Sequence, residues 1–340
     1  MKKEIYFKIF IKIVTTVVII FILSCDTKRE ALGADNEIRV ICSDVDKELV
    51  KEYLSLIFTD TIFTPEPEPY YYLKFSNPST YDDLKSQAYV IIVLVDKNQN
   101  NSVHQLMKRI LTNEQFNEID FGNPMILGKD VFAKNQLFML LNLSSKEKLR
   151  KIIKDKKNFI RQKFHEQFIH RQSQFIFGEI RNKDLENKLL SKYGLFINIP
   201  WGWELIQDRP DSNFIWLGKE MPFQWISINW EVGKFVENNL KVGDYLWKWP
   251  SKYYDYIQYS DYKFHMDKTI FGNNYAWRLK GVWETIDVKE SKGGPFQSYL
   301  FYDEKSNKTF HINYLVYYPG KDKSIYMRQA DLIVKSFQVN

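Results

Sequence analysis

The chain has 340 residues, 44% of them hydrophobic, and a formal net charge of +6. Four lysines and one glutamate lie in the first 24 residues, so residues 25–340 carry a net charge of only +3. Such a weak positive balance argues against a nucleic-acid-binding protein. The length favours two folded domains, and the absence of a low-complexity tract favours compact cores over a disordered tail.

The N-terminus has the pattern of a signal peptide. Lysines precede a mostly apolar run at residues 13–23, and Ser24-Cys25 follows. The run is shorter than the about 20 apolar residues that cross a bilayer, so cleavage is expected rather than retention as a spanning helix.

Ile22-Leu23-Ser24-Cys25 resembles a lipobox. The resemblance implies a signal peptide over residues 1–24 and diacylation of Cys25, which becomes the new N-terminus. Acyl chains hold a protein at a bilayer without a spanning segment. We therefore expect a lipid-anchored envelope protein at the outer membrane, facing the periplasm or the surface. The alternative, an uncleaved N-terminal anchor, places the chain on the same side of the membrane.

Residues 25–36 are polar with glycine and alanine, which predicts a flexible tether. Residues 37–143 then alternate strand and helix patterns and predict an N-terminal α/β domain. Its clearest strand, residues 89–95, is continuously apolar, which is typical of a central strand covered on both faces. Cys42 follows apolar residues and is predicted to be a buried strand residue rather than a reactive thiol.

Residues 144–193 form a predicted helical connector. Its first part shows an apolar stripe at helical spacing: Leu149, Ile152, Ile153, Ile160, Phe164, Phe168 and Phe175. Residues 146–163 hold nine basic and two acidic residues. That basic face is either a contact for anionic lipid head groups or a solvated helix surface, and we favour the second interpretation.

One apparent metal motif lies in this helix. His165 and His170 flank a stretch that looks like the zinc protease signature HExxH but has one residue too many. Five helical residues separate the two side chains by about 140°, whereas the signature needs both on one face. No metal site is predicted, and no cofactor.

Residues 194–340 predict a β-dominated domain rich in aromatic residues. All nine tryptophans lie between Trp201 and Trp283. They form either an aromatic cleft for a sugar, peptidoglycan or peptide, or, the interpretation we favour, a core of large residues. A helix over residues 238–256 is predicted to break before Pro250, residues 292–296 predict a turn, and residues 323–336 predict the last helix.

Several short motifs resemble a known family. Gly281-Val282-Trp283, Gly293-Gly294-Pro295-Phe296, Tyr318-Pro319-Gly320-Lys321 and Tyr326-Met327-Arg328-Gln329 are similar to an uncharacterised lipoprotein family of Bacteroidetes-type bacteria, a domain of unknown function (DUF4837). The resemblance extends over most of the mature chain. It implies a shared fold and an envelope location, and it brings no known activity.

A looser likeness starts at Gly194. The stretch Gly194 to Trp203, followed by paired strands and a last helix ending in Lys335-Ser336-Phe337, is similar to the PsbP/Mog1-like α/β sandwich. The predicted fold is therefore mixed α+β and α/β: two α/β sandwich domains joined by a long helix, the second β-rich and PsbP/Mog1-like. That likeness lowers the expectation of catalysis without fixing a function.

The sequence contains no GxSxG elbow, Walker A loop, dinucleotide fingerprint or CxxC pair. We therefore favour a non-enzymatic binding or assembly factor for an envelope protein or polymer. The alternative is a hydrolase of cell-wall or surface glycan, with two carboxyl groups facing the aromatic cleft.

The candidate binding surface follows the family motifs. It comprises Trp283, Gly293, Gly294, Pro295, Phe296, Tyr326, Arg328 and Gln329. Arg328 is chemically the most useful of them, because a guanidinium can hold a carboxylate or phosphate with two hydrogen bonds. The competing interpretation is that Arg328 and the Gly-Gly-Pro turn tie the last helix to the sheet.

Overall fold

The computed structural model describes residues 28–64, 66–97, 99–117, 124–178, 180–235, 239–287, 289 and 291–340. The predicted signal peptide and the lipidated Cys25 lie outside these residues. Over the part of the chain that the structure describes, no helix combines the length and apolar character needed to cross a membrane.

The first domain is a three-layer α/β/α sandwich. Its five-stranded sheet has the order β4-β1-β5-β7-β6, parallel except for β6. The elements are β1 (Glu37–Ile41), α1 (Lys47–Ser55), β2 (Thr61–Ile62), β3 (Glu68–Pro69), β4 (Tyr72–Ser76), α2 (Tyr81–Leu84), β5 (Tyr89–Leu94), α3 (Ser102–Ile110), α4 (Asn113–Asn117), β6 (Met125–Lys129) and β7 (Leu137–Asn142).

Strand β5 is buried along its whole length, as its continuous apolar sequence predicts. Alternate residues of β5 enter two separate apolar clusters, with Ile91 on one face of the sheet and Ile92 on the other. Cys42 is buried at the end of β1, and burial together with Asp46 raises the pKa of its thiol to about 12. The thiol is therefore neutral at physiological pH, as predicted.

The structure corrects the predicted tether. From Lys28 onward the chain packs against the first domain rather than remaining free. Ala31 donates its backbone N–H to the Lys134 carbonyl at 2.9 Å, and Asp35 pairs with Arg171 at 2.5 Å. Residues 28–36 are thus fixed, because they form parallel bridges with loop residues that precede strands of the first domain, Glu30 with Lys134 and Leu32 with Gln87. Residues 25–27 of the predicted tether lie outside the described residues.

Helix α5 (Lys146–Phe177) links the two domains, as predicted. Its N-cap is Ser145, whose hydroxyl accepts the Lys148 N–H at 3.4 Å. The apolar stripe from Leu149 to Phe168 packs onto the first domain's core. Phe175, predicted to belong to that stripe, is instead 74% exposed, because at this end of α5 the residues that pack on a core are Ile176 and Phe177, which contact the second domain.

The second domain is an eight-stranded antiparallel sheet with helices on both faces. The path is β12-β14-β15-β16-β11-β10-β9, and β13 pairs with β14. The elements are α6 (Lys183–Tyr193), β8 (Leu195–Phe196), β9 (Glu204–Arg209), β10 (Phe214–Lys219), β11 (Phe223–Val232), α7 (Asn239–Tyr253), β12 (Ile257–Tyr259), β13 (His265–Phe271), β14 (Asn274–Thr285), β15 (Gly293–Asp303), β16 (Lys308–Tyr317), α8 (Ser324–Lys335) and β17 (Gln338–Val339).

Strand alternation separates the two faces of this sheet. One face carries Ile312 and Tyr314 and packs against α6 and α8. The other face carries Trp283 and Leu315 and packs against α7.

Two predicted elements are corrected here. Residues 293–296 form the first residues of β15 rather than a turn. Gly293 and Gly294 lie within the strand because backbone atoms of neighbouring strands leave no room for a Cβ there. Helix α7 continues past Pro250 to Tyr253 instead of breaking before it. Burial of Trp249 and Tyr253 offsets the missing hydrogen-bond donor of the proline.

Candidate functional site: a cleft between the two domains

Where the two domains meet, each contributes an apolar side chain to the core of the other. Ile62 of β2 belongs to the apolar cluster of the second domain, and Ile325 of α8 packs against the cluster of the first. Glu68 of β3 accepts the backbone N–H groups of Lys323 at 2.5 Å and Ser324 at 3.1 Å, at the start of α8. A negative side chain at this position stabilises the positive end of the helix dipole.

An interdomain cleft of about 640 Å³ lies beside this contact. Its walls come from α5 and the β2 region of the first domain, and from β14, β15, β16 and α8 of the second. That volume lies within the range of pockets that hold small molecules. The cleft exists only because both domains contribute to it.

Positive charge predominates in the cleft. Five cationic side chains line it, against two carboxylates: Arg161, Arg278, Lys280, Arg328 and Lys335, with Asp60 and Asp331. The imidazole of His165 also faces it, and burial by the cleft walls, with Arg328 and Lys335 nearby, lowers the pKa of His165. A cleft with this excess attracts an anion.

Most of these cations already have partners. Arg278 donates to both carboxylate oxygens of Asp267, at 3.1 and 2.6 Å. Lys335 pairs with Asp331 at 2.6 Å. Arg161 lies 3.7 Å from Asp60.

Lys280 differs from them. Among the described residues, its ammonium has neither a hydrogen bond nor an ion pair, and the side chain is half-buried. Burial, followed by repulsion from Arg278, lowers the pKa of Lys280. Strand β14 places Arg278 and Lys280 on the same face, two residues apart, while Leu279 points into the opposite core. The charges of Asp267, Asp331 and Asp60 oppose this shift from a longer range. The cleft therefore holds a partly desolvated cation with no ion pair to a described residue.

Asp331 organises the neighbouring wall. One of its oxygens accepts the hydroxyls of Tyr299 and Tyr314, each at 2.7 Å, and the Gln297 amide at 3.2 Å. Burial, followed by the Asp331 charge, raises the pKa of both tyrosines, so they remain neutral donors. Because one oxygen is saturated and the other is bound by Lys335, Asp331 positions its neighbours and is poorly placed to act as a base.

The predicted binding surface divides into two groups. Trp283 and Phe296 lie in the core beneath α7, whereas Tyr326, Arg328 and Gln329 lie on α8. Of the eight residues, only Arg328 lines the cleft. The structure therefore does not bring them together in one exposed surface.

Packing explains the glycine motifs. A Cβ on Gly294 would lie 2.2 Å from the Val316 carbonyl, and one on Gly293 would lie 2.8 Å from the Trp283 carbonyl. Trp283 donates its indole N–H to that same Val316 carbonyl at 3.3 Å. Glycine is needed here so that neighbouring strands and the indole can approach closely.

Arg328 connects the domains. Its guanidinium lies 3.1 Å from the centroid of the Phe168 ring and donates to the Tyr70 carbonyl at 3.1 Å and the Tyr71 hydroxyl at 3.0 Å. Gln329 donates to Gln172 of α5 at 2.7 Å. These contacts join α8 to the first domain, whereas the sequence suggested a link from α8 to its own sheet.

The tryptophans do not form a groove. Six of them are buried: Trp203, Trp216, Trp230, Trp249, Trp277 and Trp283. No tryptophan lines the interdomain cleft. The favoured interpretation, that these residues build a core, therefore holds for most of them, and the glycan-hydrolase hypothesis loses its aromatic cleft.

Sequence reasoning missed Arg278, Lys280 and Asp331. The available signal was the alternation of Arg278 and Lys280 with buried residues in β14. That alternation places both on one face, but the sequence does not say which helix covers that face.

Two family models match the chain. Residues 182–336 match a domain of unknown function (DUF4837), and residues 31–176 match another domain of unknown function (DUF8532). The resemblance to DUF4837 is thereby confirmed, but for the second half only, whereas the sequence motifs had suggested that it covers most of the mature chain. The two matched ranges do not overlap, and α5 ends between them.

No curated protein matches the chain. Similar solved structures include the Ran-binding protein Mog1p of Saccharomyces cerevisiae, with 9% identity, a TM-score of 0.31, and coverage of 43% of this chain and 90% of that one. LpqN of Mycobacterium tuberculosis, described as involved in cell envelope biogenesis, has 12% identity, a TM-score of 0.30, and coverage of 43% and 83%.

A crystal structure from Bacteroides thetaiotaomicron has 13% identity and a TM-score of 0.27, and the match covers 43% of this chain. The match spans only 45% of that Bacteroides chain. The predicted likeness to Mog1-type domains is thus found among the solved structures.

Proposed function

We propose that this protein is a lipid-anchored, non-enzymatic envelope protein whose interdomain cleft binds an anionic group of an envelope component. The lipobox resemblance at Cys25 supports the anchor. The excess of positive charge in the cleft supports an acidic ligand, and its volume suits a single carboxylate- or phosphate-bearing unit.

The main support for the cleft as a binding site is that the half-buried ammonium of Lys280 makes no ion pair with a described residue. A half-buried ammonium that makes no ion pair is unfavourable, and the lowered pKa of Lys280 expresses that cost, which the charges of Asp267, Asp331 and Asp60 offset only in part. A bound carboxylate or phosphate supplies the missing charge. Two hydrogen bonds to Asp267 already hold the neighbouring Arg278 side chain in place. Ligand binding therefore loses little entropy in ordering that side chain.

Replacement of Lys280 should change anion binding and the free energy of unfolding in different ways, so it tests the two roles separately. In the Lys280→Gln variant the desolvated charge is gone, so we expect the free energy of unfolding at neutral pH to stay unchanged or to rise. The same change should weaken anion binding at least about tenfold, since it removes a charge-assisted hydrogen bond. A merely structural lysine would show the opposite pattern, with lost stability and unchanged binding.

Titration calorimetry of the full chain with inorganic phosphate, glucuronate and acetate measures the binding and separates phosphate from carboxylate ligands. Lys268→Gln is the matched control, because Lys268 lies exposed on neighbouring β13, outside the cleft. Equal affinities in the Lys280 and Lys268 variants would refute the cleft as the binding site.

The anchor has a separate test. Mass spectrometry of the mature protein from its own envelope should find acyl groups on Cys25, and Cys25→Ala should release the protein from membranes. An unmodified Cys25 in a protein that sediments with no membrane would refute the anchor and leave the cleft proposal standing.

A further inference from the structure

Three large apolar side chains lie exposed around the link between α5 and α6. Phe175 is 74% exposed, Ile180 69% and Trp201 71%. Single exposed apolar residues are common on protein surfaces. Ile180 and Trp201 line one depression, and Phe175 lies five positions before Ile180 in the chain, so one contact at this end of α5 can cover all three side chains. We refer to Phe175, Ile180 and Trp201 as the apolar junction.

The backbone holds two of these residues together. Trp201 donates its N–H to the Ile180 carbonyl at 3.1 Å, and both side chains line one shallow surface depression. Phe175 lies in the last turn of α5, whose end is anchored because Ile176 and Phe177 pack on the second domain's core.

The beginning of the described chain lies at the same end of α5. The side-chain amide of Asn135 donates to Glu30 at 2.9 Å and to Gln174 at 2.7 Å. Asn135 therefore links Glu30 to Gln174, the residue that precedes Phe175. Lys134 donates its backbone N–H to the Arg29 carbonyl at 2.8 Å, which fixes the path of this segment.

The distance to the anchor is short. Cys25 lies three positions before Lys28, and an extended chain spans at most about 3.5 Å per position, so the two lie within roughly 10 Å of each other. Lipidation of Cys25, which belongs to the proposed function and on which this inference rests, brings the Phe175 end of α5 close to the bilayer.

We propose that the apolar junction rests on the lipid bilayer, with Phe175, Ile180 and Trp201 in the region between the head groups and the acyl chains. Tryptophan favours this region, because its ring is apolar and its N–H can still reach water or a head group. The anchor then fixes the orientation of the protein as well as its location.

Charge contributes little to this contact. Around the depression, Arg181 and Lys183 are balanced by Asp184 and Glu204. The contact therefore depends on apolar burial, and we expect neutral vesicles to support it as well as anionic ones.

The basic half of α5 is the competing membrane surface. At 1.5 Å per residue, Lys151 lies roughly 35 Å along the helix from Gln174. A bilayer contact at the Phe175 end of α5 and a bilayer contact at its basic half therefore correspond to different orientations of the protein.

Three cysteine variants of the full lipidated chain distinguish these orientations. Phe175→Cys probes the apolar junction, Lys151→Cys probes the basic face, and Val45→Cys, at a position 88% exposed in the first domain, is the control. Each is labelled with an environment-sensitive fluorophore and reconstituted into phosphatidylcholine vesicles with and without lipids that carry a spin-label quencher. Cys42 is buried and neutral, so it does not compete for the label.

We expect blue-shifted emission and about twofold or stronger quenching at position 175, with little change at positions 45 and 151. Quenching at position 175 no greater than at position 45 would overturn the inference, as would stronger quenching at position 151. Vesicle flotation is the independent readout of the anchor. Protein that floats without quenching at position 175 refutes the apolar contact alone, whereas protein that does not float refutes the anchor and the orientation together.

Discussion

His311 is a fully buried residue of β16 on the face of the sheet beneath α7. Neither of its ring nitrogens has a hydrogen-bond partner among the described residues, and the Trp249 ring contacts it edge-to-face at 4.4 Å. Burial lowers the pKa of His311 to about 3 from an ordinary value of 6.5. The folded state thus excludes the charged imidazole.

This burial predicts a pH dependence of stability. Because the folded pKa is lowered, the contribution of His311 is fully present above pH 6.5 and is lost as the pH falls towards about 3. At about 1.36 kcal/mol per pKa unit, the loss reaches roughly 5 kcal/mol. The His311→Phe variant should lose less stability over that range, measured by urea unfolding at several pH values.

The control for this measurement is His265→Gln, since His265 is 59% exposed at its side chain. It should retain the wild-type pH dependence. An identical slope in the wild type and in His311→Phe would contradict the assignment of the acid sensitivity to His311.

The glycines of β15 give a second test at the scale of single residues. Gly294→Ala places a methyl group against the Val316 carbonyl and should lower the free energy of unfolding by about 1–3 kcal/mol. The control is Gly243→Ala in helix α7, where the nearest atom lies 3.9 Å from the added carbon. That change should be neutral or stabilise by up to about 1 kcal/mol. Chemical denaturation distinguishes them, and equal effects would refute the packing argument.

At the scale of secondary-structure elements, α8 is the part of the second domain that holds the first. Glu68 caps its N-terminus, Arg328 lies against Phe168, and Gln329 reaches Gln172. Burial and then Asp322 raise the pKa of Glu68. Arg328 and Gln329 of the family motif therefore lie at the domain contact.

Arg328→Lys tests this connecting role. Lysine keeps the charge but loses the planar fork that both stacks on Phe168 and donates two hydrogen bonds. We expect a decrease of about 1–3 kcal/mol in the free energy of unfolding, measured by thermal and urea denaturation. Loss of anion binding with an unchanged melting temperature would instead make Arg328 a ligand-binding residue.

Elements with strong periodicity could be predicted from the sequence. Strand β5 followed from its continuous apolar run, and α5 followed from its stripe with a serine cap. Gly293-Gly294-Pro295 was predicted as a turn because these residues favour turns locally, while the nearby Val316 carbonyl that demands glycine is distant in sequence. Phe175 keeps the helical spacing of the stripe, but the end of α5 packs on the second domain through Ile176 and Phe177 instead, which the spacing alone does not reveal.

At the scale of the whole molecule, the cleft depends on the way the two domains contact each other. Lys280 comes from β14, Arg161 and His165 from α5, and Asp331 from α8. These residues are up to 170 positions apart, and no local pattern joins them. The sequence therefore could predict two domains and a linking helix, but not the site that forms between them.

We propose above all that this cleft binds an anion at Lys280. The most direct measurement is a crystal structure of the full mature chain with glucuronate or inorganic phosphate. We predict an anion oxygen within hydrogen-bonding distance, about 3 Å, of the Lys280 ammonium and beside Arg278. An empty cleft, with the anion bound only elsewhere on the surface, would contradict the account.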